Sequence, residues 1–297
     1  MKLGIIGLDS SHAIAFCKAL NNPEYEYYIP DHEVVAAYPG EISYDFDMSY
    51  QRMIPFTEEI RDKYGVKIEN SIEKVMDQVD AVFLEQVDAR KRLQQFEIIA
   101  SYGKPVFIDK PLALSSKEAN SIIELAQKNN LPLLSTSSLR YIDCLTEALS
   151  DDSNGEINGA YLISPMPIKE SQPGFFWYGN HATDMLFRTL GSECKSVKVI
   201  PSKNTDIIVG EWKDNRIGVI RGSRNYIDSY MGVIHRNQPV IINPSKDKRF
   251  MYDCLLEQII KMFDTKVMPI SFEEMFKVVS FIEAANKSAE TGKEVRL

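Results

Sequence analysis

In the first 135 residues, short apolar runs alternate with amphipathic stretches, and this alternation limits the possible folds more than any other feature of the chain. Residues 3–8, 33–38, 80–84, 105–108 and 131–135 read as strands, and residues 13–20, 57–64, 71–77, 93–102 and 115–129 as helices. The punctuation agrees with this reading. Ser10 and Ser11 stand as caps before the first helix and Thr57 before the second; Gly65 and Gly103 close helices, and Pro39-Gly40 stops a strand. Strands that are apolar throughout are buried on both faces. That calls for a parallel sheet with helices on either side, wound with right-handed crossovers.

Beyond residue 138 the rhythm changes. Strand-like segments at 160–164, 196–200, 206–212, 216–221 and 229–233 follow one another, with Lys213-Asp214-Asn215 as a hairpin turn, and helical segments fall at 183–190, 251–263 and 273–290. The expected fold is therefore α/β: a Rossmann-like doubly wound domain over 1–138 and an α+β domain with a mostly antiparallel sheet over 139–297. No Gly/Ser/Pro-rich linker separates them, so packed domains are expected. One face of the second sheet, with Trp212 as a candidate patch, is the expected surface for a homodimer or larger homo-oligomer. The stretch 41–56 reads as a long loop, and its aromatics Tyr44, Phe46 and Tyr50 suggest a packed lid.

A net charge of −8 and a pI near 5.2, with Lys and Arg scattered, exclude nucleic acid and anionic membranes as expected partners. No apolar run approaches the ~20 residues that span a bilayer. The N-terminal apolar run is too short for a signal peptide, so a cytoplasmic location is expected. Cys17, Cys144, Cys194 and Cys254 lack metal-binding spacing and read as reduced thiols; no metal site is assigned from the cysteines.

The first turn, Gly7-Leu8-Asp9-Ser10-Ser11-His12, stands where a dinucleotide fold carries G-x-G-x-x-G, and only its first glycine remains. Asp9 and His12 put a carboxylate and an imidazole where a pyrophosphate would lie, while Ser10, Ser11 and the helix N-terminus can meet phosphate without glycine. Strand two ends at Tyr38-Pro39-Gly40 without an acidic residue for ribose hydroxyls, and strand four runs into Glu85-Gln86-Val87-Asp88. Further on, Phe107-Ile108-Asp109-Lys110-Pro111-Leu112-Ala113 resembles the Glu-Lys-Pro motif of the glucose–fructose oxidoreductase / inositol dehydrogenase / rhizopine-catabolism (Gfo/Idh/MocA) family, with Asp109 in the Glu place. Gly179-Asn180-His181-Ala182-Thr183-Asp184 is similar to that family's catalytic histidine segment, and the stretch from Ala285 to Val295 resembles its ending. The family's aspartate four residues before the histidine is here Trp177.

The resemblance implies hydride transfer between NAD or NADP and a hydroxyl carbon of a sugar, cyclitol or related small polyol. A hydroxyl that loses hydride must also lose a proton. On this pattern Lys110 and His181 serve the reacting carbon, with Asp184 orienting the imidazole. Gly7, Asp9, Ser10, Ser11, His12, Tyr38, Glu85, Asp109 and Pro111 face the cofactor, and Arg140, Tyr141 and Trp177 face the substrate. A second reading keeps the scaffold without redox chemistry. It would be a sugar-binding or regulatory module, or an acidic site for a divalent metal drawn from Asp9, His12, Glu85, Asp88 and Asp109.

Overall fold

A computed structural model describes residues 1–225 and 229–297. The chain divides into two compact units, and the division is not a single cut. The first unit comprises Met1–Ala113, Lys117–Ser135 and Leu256–Ile270; the second comprises Leu114–Ser116, Thr136–Leu255 and Ser271–Leu297.

The first half contains β1 (Lys2–Ile6), α1 (Ser11–Asn21), β2 (Glu33–Tyr38), α2 (Asp47–Tyr50), α3 (Met53–Tyr64), β3 (Lys67–Ile68), α4 (Ile72–Met76), β4 (Ala81–Leu84), α5 (Arg92–Ala100), β5 (Val106–Asp109), α6 (Ser116–Lys128) and β6 (Leu133–Thr136). The sheet order is β3-β2-β1-β4-β5-β6, with β1 parallel to both β2 and β4. The order therefore reverses at β1, and the crevice beyond the carboxyl ends of such strands is where open α/β sheets receive ligands. The core is aromatic: Phe16 of α1 lies against Phe83 of β4 at 5.1 Å between ring centroids, and Phe263 meets the same ring at 5.2 Å. Phe263 explains why Leu256–Ile270 packs with the first unit despite its place late in the chain.

Two local expectations are corrected here. Thr57 is not a cap: α3 begins at Met53, and the Thr57 hydroxyl donates back to the Met53 carbonyl at 2.6 Å. The stretch 41–56 is not an open loop but carries α2 and the first turn of α3, with Phe46 buried and Tyr44 82% exposed. One aromatic anchors it, and polar contacts do the rest.

The second half contains α7 (Asp143–Ser150), β7 (Gly159–Pro165), α8 (Gly179–Leu190), β8 (Cys194–Ile200), β9 (Thr205–Trp212), β10 (Ile217–Ser223), β11 (Met231–His235), β12 (Val240–Ile242), α9 (Met251–Thr265), α10 (Phe272–Thr291) and β13 (Val295–Arg296). The sheet order is β12-β11-β7-β10-β9-β8-β13; β7 and β10 run parallel, and the other pairings are antiparallel. Strand β9 alternates buried and half-buried residues, as a sheet with one packed face requires. Trp212 belongs to that packed face, not to a surface patch. It is fully buried, stands 5.8 Å from Phe187 of α8, and donates its indole N–H to the Gly191 carbonyl at 2.8 Å. All four cysteines are free thiols.

Candidate active site

The turn after β1 is built on Gly7, whose φ of +90° suits glycine and whose missing side chain lets the turn press on the next one. A Cβ there would stand 2.2 Å from the Gln86 backbone nitrogen. Asp9 follows, and it does not project into the crevice. Its carboxylate is folded inward, accepting from Ser49 Oγ at 2.7 Å, Gln86 Nε2 at 2.7 Å and the Val87 N–H at 2.9 Å. Burial outweighs these bonds and pushes its carboxyl up to about 6. Ser10 caps α1, its Oγ accepting the His12 N–H at 3.1 Å, and Ser11 opens the helix half-buried.

Asp88 is likewise committed. Arg90 reaches Asp88 at 2.7 Å and Asp45 with two bonds at 2.6 and 2.7 Å, while Ser43 Oγ donates to Asp88 at 2.5 Å. Burial works to raise Asp88, but the bonds from Arg90 and Ser43 outweigh it and hold the carboxyl at about 2. Together with Ser49 on Asp9, these contacts latch the 41–50 segment to the turns after β1 and β4.

Between these committed acids lies a different group. His12 Nδ1 is 3.1 Å from Asp109 Oδ1 and 3.6 Å from Glu85 Oε2, and all three side chains are buried. Burial, with the Asp109 charge behind it, pushes the Glu85 carboxyl up. Burial also works to raise Asp109, but His12, Lys110 and Arg92 outweigh it and hold that carboxyl well below the usual range. Lys110, just beyond β5, is buried as well; burial pushes its ammonium down and Asp109 counters. Arg92 is fully buried and donates to the carbonyls of Pro111 at 2.6 Å and Gln86 at 3.0 Å, so Pro111 is part of an arginine clamp.

Tyr38, at the end of β2, lines a cavity of about 150 Å³ together with Glu41, Ser71, Lys91, Gln94 and Gln95. Glu41 pairs with Lys91 at 3.0 Å. The acidic residue missing from the end of strand two thus arrives three positions later, past the Pro39-Gly40 turn.

In the second unit, His181 sits in the first turn of α8. Its Nδ1 pairs with Ser137 Oγ at 2.7 Å, and its ring meets Tyr178 and Tyr230 edge-on at 5.2 and 5.6 Å. Ser137 Oγ pairs with the imidazole, and Asp184, the expected orienting residue, stands one bond further back. Asp184 accepts from the Thr136 hydroxyl, the Ser137 N–H and Arg140 Nη1, the last at 2.8 Å. Arg140 also pairs with Glu274, so its guanidinium is spent inside the unit and not offered to a substrate. Tyr141 lies under Arg188 at 5.3 Å, and burial pushes its hydroxyl up to about 12. Trp177 is buried against Tyr178, with ring centroids 5.6 Å apart. Sequence reasoning missed Ser49, Arg92 and Ser137, ordinary residues whose partners lie far along the chain.

The chain thus holds a switch-point Rossmann sheet with a buried lysine beyond β5 and an α+β unit with an imidazole in the first turn of a helix. Residues 1–136 match the Gfo/Idh/MocA family, described as an oxidoreductase family with an NAD-binding Rossmann fold. Among solved structures, the myo-inositol 2-dehydrogenase of Lactobacillus plantarum superposes with a TM-score of 0.80 at 16% identity, covering 100% of this chain and 99% of that one. The scyllo-inositol dehydrogenase of Lactobacillus casei, solved with NAD(H) and scyllo-inositol, gives 0.79 at 15% identity, covering 100% and 98%. At these identities the likeness is one of fold. No protein of curated function matches the sequence. Among the described residues no helix is long and apolar enough to cross a membrane.

Proposed function

We propose that the protein is an NAD-dependent oxidoreductase of a hydroxyl carbon in a small polyol such as a sugar or cyclitol. The observation that carries this reading is the match of residues 1–136 to an NAD-binding oxidoreductase family, with Lys110 at the carboxyl end of β5. The residues present suit the cofactor. Asp9 is turned inward, so its charge does not oppose a pyrophosphate, and the N-terminus of α1 beyond Ser10 is available to phosphate. Glu41 and Tyr38 border the cavity beyond β2, where an adenosine ribose is received in such folds. Bound NAD supplies the hydride acceptor.

Lys110 donates a hydrogen bond to the substrate oxygen and stabilises the charge that develops there. With His181 Nδ1–H donated to Ser137 Oγ, Nε2 carries the lone pair that takes the hydroxyl proton. Asp184 and Arg140 are positioning residues: Arg140 donates to Asp184, Asp184 accepts the Ser137 N–H, and Ser137 holds the ring. A homodimer through the second sheet remains part of this reading, supported by exposed Ile200, Ile217 and Ile241 on its strands. The test is turnover: NADH formation is followed with a panel of inositols, aldoses and sugar acids. Activity on at least one, lost in Lys110→Met and His181→Asn, is expected; no NADH from any member with NAD or NADP contradicts the reading.

A further inference from the structure

Hydride transfer gives Glu85 no role. It is fully buried after β4, and among the described residues neither carboxylate oxygen accepts a hydrogen bond. The contact from His12 Nδ1, at 3.6 Å, is beyond hydrogen-bond range. A buried carboxylate left without a donor is costly, and such groups are relieved by a proton, a partner or a bound cation.

The surroundings of Glu85 resemble a ligand set. Ligand atoms from His12, Glu85 and Asp109 all lie within 4.8 Å of one another, and His12 Nδ1 stands 3.1 Å from Asp109 and 3.6 Å from Glu85. Nitrogen and oxygen ligands held at about 2.0–2.2 Å from one ion stand roughly 3.0–3.6 Å apart at tetrahedral or octahedral angles. The two separations fall in that interval without any movement of the side chains. We propose that His12, Glu85 and Asp109 bind a single transition-metal dication, zinc being the best match, with a fourth position for water.

The donor set and the nearby charges narrow the ion. Two carboxylates supply the two negative charges a dication needs, and an imidazole favours zinc or a similar late transition metal over magnesium, calcium and manganese. The terminal nitrogens of Arg92 do not bond these carboxylates; they donate to the carbonyls of Pro111, Gln86 and Lys110. Its charge and that of Lys110 still repel a cation, so the ion must make strong bonds to nitrogen and carboxylate oxygen; this selects zinc over manganese. The notional wider acidic site contracts accordingly. Asp9 and Asp88 already accept bonds from Ser49, Gln86, Arg90 and Ser43 and are not ligands.

The test uses the full-length protein, expressed with zinc in the medium and dialysed against metal-free buffer, followed by elemental analysis. A chelator-stripped sample is then titrated with Zn²⁺ in a thermal melt and with Co²⁺ in visible absorption. One zinc per chain, a rise in Tm with Zn²⁺, a 1:1 Co²⁺ band, and affinity at least ~10-fold weaker in Glu85→Gln and Asp109→Asn are expected. Zinc no higher than the buffer blank with no Co²⁺ band overturns the proposal. So does unchanged affinity in both variants, which would put the ion elsewhere. If a variant fails to fold, the wild-type zinc content and Co²⁺ band decide alone. None of these readouts uses NAD or turnover, so their failure leaves the proposed function standing.

Discussion

Each unit of this protein buries an imidazole in the first turn of a helix, His12 on α1 and His181 on α8, yet the two surroundings differ in kind. Around His181 the named charges are answered within the unit. Asp184 accepts from Thr136, Ser137 and Arg140, and Arg140 divides itself between Asp184 and Glu274. Around His12 one carboxylate, Glu85, is left without a donor among the described residues, and the nearby Arg92 gives its two terminal nitrogens to carbonyls. A closed network fixes the position of its members, whereas an open one leaves a buried group to be answered by a proton, a partner or an ion. On the two proposals above, the second unit positions a catalytic base and the first captures an ion.

The largest expected effect separates the two histidines directly. His181→Asn should lower kcat by ~10²–10⁴-fold, the usual contribution of a general base, whereas His12→Asn should deplete bound zinc. Steady-state kinetics and elemental analysis on both variants check this, and zinc depleted by the His181 change instead would reverse the assignment.

Next comes the cost of disturbing each network. Arg140→Met leaves the buried Asp184 and the half-buried Glu274 without their cation and should destabilise the protein by ~3–5 kcal/mol in urea denaturation. Glu85→Gln, measured after chelation, removes a carboxylate that has no donor, so stability should stay within ~1 kcal/mol or rise. Comparable losses in both would erase the distinction between closed and open clusters.

A smaller effect concerns pH. The folded value of Asp9, about 6, lies above its ordinary 3.8, so between these values the folded chain holds more protons than the unfolded one. Its contribution to stability is therefore greatest at low pH and falls as pH rises from about 4 to 6, by ~3 kcal/mol in all. Asp9→Asn should flatten that part of the stability profile; an unchanged slope would mean the carboxylate is better solvated than its three bonds imply.

Most of the architecture was legible along the chain because it depends on local signals. Uniformly apolar runs gave the parallel strands, and Ser10 and Ser71 cap α1 and α4 as their positions suggest. Sequence neighbours could not show that Leu256–Ile270 packs with the first unit, because that depends on Phe263 meeting Phe83 from far along the chain. The candidate site divides in the same way. Lys110 and His181 were visible from motif position. The direction of the Asp9 side chain was not, because its donors come from Ser49 and from Gln86 and Val87, about forty and almost eighty residues away. Arg140 and Asp184 were visible as charges, but only the fold shows that they answer each other. The short edge strands β3, β12 and β13 carry too few residues for any periodicity to emerge.

The claim on which the functional account rests is that a first turn with a single glycine still receives a dinucleotide because Asp9 faces inward. A thermal melt of the full-length protein with millimolar NADH, repeated with NADPH, tests it most directly, since a ligand that binds only the folded chain raises Tm by mass action. The account expects a clear, concentration-dependent rise with at least one of the two. An unshifted melt with both would contradict it.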